Sequence, residues 1–416
     1  MAALKRVVIT GMGAVSSIGT GLQAIEESLR AGRSGIVSVP AWKELGIASH
    51  IAGLPETEPQ SSLVTRKIEK SASSCALMAL RATDEALRTA SLLPSDVRGT
   101  NIAVLIGSGT GSSMRNFTSA EALQRTRSTR RVHPFTVPHV MGSTAAANVS
   151  VALGTLGESW SVSSACSTGS HAIGIGSLYV RTGRYERVLA GASEEIDWIH
   201  AGPFDTMHAL SRGFVENPTL ASRPFDRDRD GFVISGGAGV VVLEELELAL
   251  NRGATIYAEV VGWGSNSDGF DMVAPMPEGA ADAIRRALRD AELAPEQIEY
   301  VNAHGTSTPQ GDLSEATAMK TVFGTRQPLV SSTKSSTGHA IGAAGSLEVV
   351  YSVMMMRGGF VAPNLNVHML DQGAEHLNLA TQPGRSHEIP FALSNSFGFG
   401  GTNSCLVLKR WEGYSV

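Results

Sequence analysis

Trp160-Ser-Val-Ser-Ser-Ala-Cys166-Ser-Thr-Gly-Ser-His-Ala-Ile-Gly174 decides how this chain is read. Trp160 to Ser164 alternates large and small residues, as a short strand does. From Cys166 to about Val180 the residues are small or apolar and suit a buried helix. Cys166 therefore stands on a strand-to-helix turn, at a helix N-terminus. Unpaired N–H groups and the helix dipole favour an anion there, which predicts a readily formed thiolate. Small neighbours leave room for a substrate, so the residue reads as a nucleophile. Cys75 and Cys405 read as inert core thiols, one on an apolar helix face and one in the terminal strand.

The second half of the chain repeats the stretch. Val330-Ser-Ser-Thr-Lys334-Ser-Ser-Thr-Gly-His339-Ala-Ile-Gly342 aligns with Val162 to Gly174 without a gap, placing Lys334 opposite Cys166 and His339 opposite His171. Ala86-Leu-Arg-Thr-Ala-Ser-Leu-Leu-Pro94 matches Ala287-Leu-Arg-Asp-Ala-Glu-Leu-Ala-Pro295. More weakly, Ile9-Thr-Gly-Met-Gly13 matches Val260-Val-Gly-Trp-Gly264, and Gly236-Gly237 matches Gly400-Gly401. The pairs keep their order while the offset only falls, which is an internal duplication whose first copy carries the extra loops.

At 416 residues and 42% hydrophobic, the chain can build one large core or two fused units. A net charge of −5 argues against a general nucleic-acid or membrane-surface binder. Three scattered cysteines do not make a disulfide framework and predict a reducing, cytoplasmic setting. Met1 to Arg6 leads straight into a strand with no apolar leader, and no stretch is long and apolar enough to span a bilayer.

Strand patterns fall at Val7–Thr10, Ile102–Ile106, Ser161–Ser163, Val188–Ala190 and Gly239–Leu243, then at Ile256–Gly262, Glu299–Asn302, Leu329–Ser331, Phe391–Asn395 and Ser404–Lys409. Helical patterns lie between them at Gly21–Ala31, Ser71–Ala90, Ala280–Ala291, Leu313–Phe323 and His339–Arg357, which predicts layered α/β structure. Ser112–Ser143 and Glu195–Arg229 lack a pattern and read as the extra loops. Gly11-Met-Gly13 without a third spaced glycine is weak as a dinucleotide signal, and Gly236-Gly237-Ala-Gly239 reads as a packing turn.

Asn302-Ala-His304-Gly-Thr306-Ser-Thr308 follows a strand, where α/β proteins place reacting groups. Lys334, His339 and the Gly-rich turn Asn395-Ser-Phe397-Gly-Phe399-Gly-Gly401 come later. Duplication brings corresponding turns together, so Cys166 should face His304 and His339. A cysteine can hold an acyl group as a thioester, and two imidazole N–H groups can hold an enolate oxygen. That suits carbon–carbon bond formation, whereas a peptidase or amidase would pair the cysteine with one oriented histidine. His171 reads as structural, and His133, His139, His200 and His208 show no metal-site spacing. Arg66, Lys67, Arg125, Arg127, Arg130 and Arg131 stand out against the negative total, either as a solvated face or as a dock for an acidic partner.

Taken together, VITGMGAVSSIG, SSACSTGSHAIG, NAHGTSTPQGD, STKSSTGHAIGAAG and NSFGFGGTN resemble the β-ketoacyl-acyl-carrier-protein synthases of the thiolase superfamily, end to end. ASRPFDRDRDGFVISGGAGVVVLEE and NSDGFDMVAP look closer to the type I elongating branch than to type II. The resemblance implies a thiolase-like α/β fold in which two duplicated βαβαβαββ halves, residues 1–252 with cap insertions and 253–416, form an αβαβα layered sandwich. It implies decarboxylative condensation of malonyl-carrier protein with an acyl group held on Cys166, in fatty acid biosynthesis. In that scheme His304 and His339 assist loss of CO2, and the N–H groups of Cys166 and Phe399 form the oxyanion hole. Lys334 sets local charge with Glu348, while Thr306 and Thr308 bind the phosphopantetheine arm that arrives on the carrier protein. Phe397 and Phe399 gate the acyl pocket, Thr110 tunes its length, and Asp268 joins the substrate-binding set.

The resemblance further implies a monovalent-cation site of Asn302, Glu348, Ser394 and Asn395, and no required cofactor. The basic residues would meet the carrier protein, and a homodimer would set Pro134–Val140 near the partner's acyl pocket. A type II-like or specialised polyene or polyketide synthase is the nearest alternative. A thiolase would want a cysteine in the Phe397-Gly-Phe-Gly400 turn, an initiating type III enzyme Asn at position 339, and a chain-length factor no cysteine at 166. A Cys-dependent amidase leaves two histidines and the Lys334 turn unexplained.

Overall fold

The structure is a computed structural model and describes residues 4–56 and 60–413. Within it one run of strands and helices occurs twice. The first copy is β1 (Val7–Ser16), α1 (Ser74–Thr89), β2 (Ile102–Gly107), α2 (Thr144–Leu153), β3 (Ser159–Trp160), α3 (Thr168–Arg181), β4 (Arg187–Glu194) and β5 (Gly237–Glu245). The second is β6 (Ala258–Ser267), α4 (Pro277–Asp290), β7 (Tyr300–Asn302), α5 (Pro309–Phe323), β8 (Leu329–Ser331), α6 (Ala344–Gly358), β9 (Phe391–Gly398) and β10 (Thr402–Arg410).

Strand order among these is β8-β7-β9-β10-β6-β1-β5-β4-β2-β3, the same sequence read outward in both directions from β6 and β1, with the short strand Asn378–Leu379 added outside β8. Those two meet antiparallel at Val8–Glu259 and Ile9–Ala258. In each half the strand before the second helix runs parallel to its two neighbours, and the last two strands form an antiparallel pair. The duplication and the layered α/β class expected from the sequence are therefore present.

Burial explains the layering. α6 is buried around its whole circumference from Ala344 to Met356, as a helix in a middle layer must be, and its few polar groups, Ser346, Glu348 and Ser352, are buried with it. It packs on α3, which makes the other half of the middle layer. α4 instead buries Ala280, Ala283, Ile284, Ala287 and Leu288 against β6 and β10 and turns Arg285, Arg286 and Arg289 to solvent. α1 and α2 cover the outer face of the first half in the same way. Among the described residues no helix is long and apolar enough to cross a membrane.

The weaker sequence pair gains a physical reason. A Cβ on Gly11 would sit 2.1 Å from the Ala86 carbonyl oxygen, and one on Gly262 2.4 Å from that of Ala287. The Gly-x-Gly motif lets α1 lie on β1, and its counterpart lets α4 lie on β6. It is a helix–strand contact and not a nucleotide loop.

Four expectations shift. The third strand is Ser159–Trp160 rather than Ser161–Ser163, because the chain must already turn toward Cys166. The helix expected from His339 begins at Ala344, while His339 is extended and exchanges hydrogen bonds with its neighbours: its N–H donates to Val233 O (2.8 Å) and Ser235 N–H donates to its carbonyl (2.9 Å). Ser112–Ser143 and Glu195–Arg229 are not loops throughout, since they hold helices Ser113–Thr126, Thr136–Val140 and Trp198–Thr206. Ser113–Thr126 buries no residue, so it has no apolar stripe to read. The helix expected at Gly21–Ala31 is present as Leu22–Ala31, but with the strand pair Ile36–Ser38 and Ile51–Gly53 it forms a third insertion, between β1 and α1, that was not expected.

Inside the ASRPFDRDRDGF segment, buried charges fasten the second insertion to the second half. Arg229 donates to Asp371 (2.8 Å) and pairs with Asp312 (3.2 Å). Asp226 accepts from Arg223 (2.9 Å) and from the N–H of His368 (2.7 Å).

Candidate active site

Cys166 sits on a sharp elbow. Ala165 before it has φ 50°, a left-handed conformation costly to a residue with a Cβ. Hydrogen bonds hold it: Thr168 Oγ1 donates to Ala165 O (2.7 Å) and accepts from Ser164 N–H (2.9 Å), and Ser167 Oγ donates to Ser164 O (2.7 Å). α3 starts at Thr168. The Gly-rich turn of the second half closes over this elbow. Thr402 Oγ1 donates to Ser164 O (3.0 Å), and a Cβ on Gly398 would lie 2.8 Å from that oxygen and 3.2 Å from the Cys166 nitrogen.

The cysteine sulfur and one nitrogen from each of His304 and His339 lie within 4.8 Å of one another. The two rings stand at 89° with centroids 5.3 Å apart. His304 follows β7, and its position is set by Glu315 on α5, whose carboxylate accepts from His304 N–H (2.9 Å), Gly305 N–H (2.7 Å) and Asn395 Nδ2 (3.0 Å). His339 is held by Val233 and Ser235, with Phe232 5.5 Å from its ring. Lys334 is 1% exposed and forms an ion pair with Glu348.

Electrostatics partly overturn the sequence expectation. Burial pushes the Cys166 thiol up to about 11, outweighing the opposing pull of the Lys334 cation and of the N–H groups of Phe399 and Cys166. The thiol therefore rests protonated, because the helix-terminus effect is smaller than desolvation. Burial and then the Lys334 charge hold both His304 and His339 well below the usual imidazole range, so both rings are neutral near pH 7.

A cavity of about 380 Å3 opens onto these groups. Thr306, Thr308, Phe397, Phe399 and Asp268 line it together with Cys166, His304 and His339. The two threonine hydroxyls are 2.9 Å apart. Phe397 packs 5.8 Å from the His304 ring, and Phe399 is 6.3 Å from Phe204. The Asp268 carboxylate accepts from Asn403 Nδ2 (2.6 Å) and Met276 N–H (3.0 Å), so it ties the cavity rim together. Thr110 does not line this cavity; it is exposed, and its hydroxyl donates to Glu194 (2.6 Å). Glu194, which the sequence reading passed over, also accepts from Ser108 Oγ (2.8 Å), Gly109 N–H (2.7 Å) and Gly342 N–H (3.0 Å).

Near Lys334, Glu348 Oε2, Ser394 Oγ and Asn395 Oδ1 are buried without a hydrogen-bond partner. Asn302 Nδ2 donates to Glu348 O (3.4 Å). Carboxylate, hydroxyl and amide oxygens are the hard donors a small cation takes, so the residues present fit one.

His171 is occupied away from the cavity, its Nδ1 2.9 Å from Ser164 Oγ and its Nε2 2.8 Å from Ser265 Oγ. Cys75 and Cys405 are buried with their thiols pushed up, the first donating to Ser193 O (3.2 Å). The six basic residues are all exposed, and none forms an ion pair among the described residues. His139 links their two segments: its Nδ1 accepts from Arg115 Nε (3.1 Å), and its Nε2 lies 3.0 Å from Lys70 O.

A duplicated α/β fold with an elbow thiol facing two neutral imidazoles defines a thiolase-like acyltransferase. Comparison with known proteins narrows the class. Residues 4–249 match the N-terminal and 257–368 the C-terminal domain of beta-ketoacyl synthase. A Haemophilus influenzae 3-oxoacyl-[acyl-carrier-protein] synthase 1 is 42% identical over 99% of this chain and 100% of its own. A beta-ketoacyl synthase crystal structure from Burkholderia phymatum superposes with a TM-score of 0.92 at 37% identity, covering 98% of this chain and 100% of that one. A ketosynthase structure from a type II polyketide system, in complex with its acyl-carrier protein, gives 0.90 at 31%, with 98% and 100% covered. The chain belongs to the β-ketoacyl synthase family.

Proposed function

We propose that this protein is an elongating β-ketoacyl-acyl-carrier-protein synthase of fatty acid biosynthesis. The approach of the Cys166 sulfur to the His304 and His339 rings carries the reading. An acyl group passes from its carrier to Cys166 as a neutral imidazole accepts the thiol proton and hands it to the departing carrier thiolate. Malonyl-carrier protein then occupies the cavity, with Thr306 and Thr308 contacting its phosphopantetheine arm. Loss of CO2 leaves an enolate whose oxygen takes hydrogen bonds from His304 and His339. The enolate carbon attacks the thioester carbonyl, and the N–H groups of Cys166 and Phe399 hold the tetrahedral oxyanion, a contribution worth on the order of 10²–10³ in rate per donor. Collapse expels the Cys166 sulfur, releasing β-ketoacyl-carrier protein and free enzyme.

The same reading assigns supporting roles to further residues. Lys334 with Glu348 fixes the charge behind the histidines, and Phe397 and Phe399 stand between acyl and malonyl sides. Asn302, Glu348, Ser394 and Asn395 would hold a monovalent cation that balances buried carboxylate charge. Arg66, Lys67, Arg125, Arg127, Arg130 and Arg131 meet the acidic carrier protein. Exposed Phe135, Val137, Val151 and Leu156 suit burial against a second copy, which would bring Thr110 and Pro134–Val140 to the acyl pocket and explain why Thr110 is open in one chain. The higher identity to a synthase 1 than to the polyketide ketosynthase favours fatty acids over polyketides as the product class.

Acylation of Cys166 by acyl-carrier protein, followed by malonyl-dependent elongation, tests the reading. Cys166→Ala should abolish elongation while leaving residual malonyl decarboxylation. Continued elongation by that variant overturns it.

A further inference from the structure

We propose that Cys166, His304 and His339 form a reversible binding site for a borderline-soft divalent cation such as zinc, which switches the nucleophile off. A thiol sulfur and two imidazole nitrogens from three chain segments converge within 4.8 Å. Tetrahedral zinc, with bonds of about 2.3 Å to sulfur and about 2.0–2.1 Å to nitrogen, needs its donors roughly 3.3–3.7 Å apart. Closing the widest pair takes a shift of about 1 Å, within reach of side-chain torsions. Three protein ligands with a fourth position open to the cavity is the pattern of an open zinc site and not of a closed structural one.

The surroundings set the strength. Both ring-bearing backbones are fixed, His304 through Glu315 and His339 through Val233 and Ser235, so little ordering is needed. The positive charge of Lys334 opposes a cation and lowers its affinity, and the ion pair with Glu348 offsets that only in part. In contrast, the Nδ1 atoms of His304 and His339 have no hydrogen-bond partner, so no carboxylate or carbonyl orients either ring behind the metal. Such outer partners typically contribute 10–100-fold in affinity. The site is therefore reversible and modest rather than structural.

The binding step is an exchange without redox change. The sulfur–hydrogen bond breaks, its proton leaves to solvent, and a sulfur–metal bond forms, so one proton is released per metal bound. An acyl group on the same sulfur excludes the metal, and the metal excludes acylation. Metal therefore competes with acyl-carrier protein for Cys166.

Cobalt(II) and zinc titrations of the full-length enzyme test this, with a readout independent of catalysis. One cobalt per chain should produce a thiolate-to-cobalt band in the near ultraviolet and intense tetrahedral bands in the visible. Cys166→Ala and the Cys166-acylated enzyme should both lose the near-ultraviolet band, and His339→Asn should weaken it. Zinc at ten times its dissociation constant should slow iodoacetamide alkylation of Cys166 by about tenfold, with a chelator restoring the rate. A near-ultraviolet band that survives in Cys166→Ala, or alkylation that zinc leaves unchanged, overturns the proposal. An enzyme that binds cobalt at Cys166 but elongates no acyl chain would sink the proposed function and leave the metal site standing.

Discussion

His304 and His339 are held uncharged near neutral pH, first by burial and then by the Lys334 charge. A ring whose pKa is depressed keeps its neutral form to lower pH than a free imidazole does. Malonyl decarboxylation by Cys166→Ala should thus stay level as pH drops below 6.5, where an ordinary histidine would already be charging, and should fall only at lower pH. A rate that halves near 6.5 would contradict the assignment. Lys334 acts on the sulfur in the opposite sense from burial, pulling its pKa down. Lys334→Met should slow iodoacetamide alkylation of Cys166 at pH 8, and an unchanged or faster rate would count against that role. At this scale the sequence was most readable where the repeat pinned it: Cys166, Lys334 and His339 came from one alignment. Glu315 and Glu194 did not, because a lone acid in a helix or at a strand end looks solvated until its N–H donors are visible. One signal was available, since Asp312 and Glu315 share a helix face with buried Ala316 and Met319.

At the level of elements, two contacts between the repeats invite tests. The close approach of Gly398 to Ser164 and Cys166 leaves no room for a methyl group. Gly398→Ala should fold, because the clash is local to the turn, yet lose Cys166 acylation by about the 10²–10³ expected from a misplaced oxyanion donor, read as burst amplitude and rate. The buried Arg229 pairs with Asp312 and Asp371 across the halves. Arg229→Met should destabilise by about 3–5 kcal/mol in a denaturant titration, since it strands a buried carboxylate. A cost under about 1 kcal/mol would show that water reaches the pair. Elements with a face to bury were legible, as α4 and α1 show, whereas Ser113–Thr126 was not because it buries nothing. Thr110 was assigned by resemblance alone, and its own chain gives it a hydrogen-bonding task with Glu194 and leaves it outside the cavity.

Over the whole molecule, histidines buried neutral make stability depend on acidity. Burial takes His200 down to about 4, with both ring nitrogens lacking partners, and lowers His171 and His139 as well. At His200 the unfolded chain takes up a proton that the folded one refuses from about pH 6.5 downward, so this residue's contribution to stability is full above that value and is lost as pH falls toward 4, while the buried carboxyls of Asp312 and Glu348, pushed up to about 7, act in the opposite sense. The melting temperature of His200→Leu should therefore rise relative to the wild type as pH falls from 6.5 toward 4; a difference that does not change with pH would remove His200 from the account. Carrier-protein docking belongs to this scale too. Exchanging Arg127 and Arg130 for Glu should raise the KM for acyl-carrier protein with little change in kcat, and added salt should raise the wild-type KM, because exposed charges are screened over about 8–10 Å. Affinity indifferent to salt would relocate the docking face.

The elbow of Cys166 is roofed by Gly398 and Thr402, which belong to the other repeat. An ancestor with a single repeat could have assembled this chemistry only by pairing with its twin, each lending the other a lid. In the fused chain the copies differ at the paired turns: the first carries Cys166 where the second carries Lys334, and of the aligned pair His171 and His339 only the second faces the sulfur. Expressing residues 253–416 together with 1–252 as separate polypeptides would re-enact that history, and only the reunited pair should take up an acyl group.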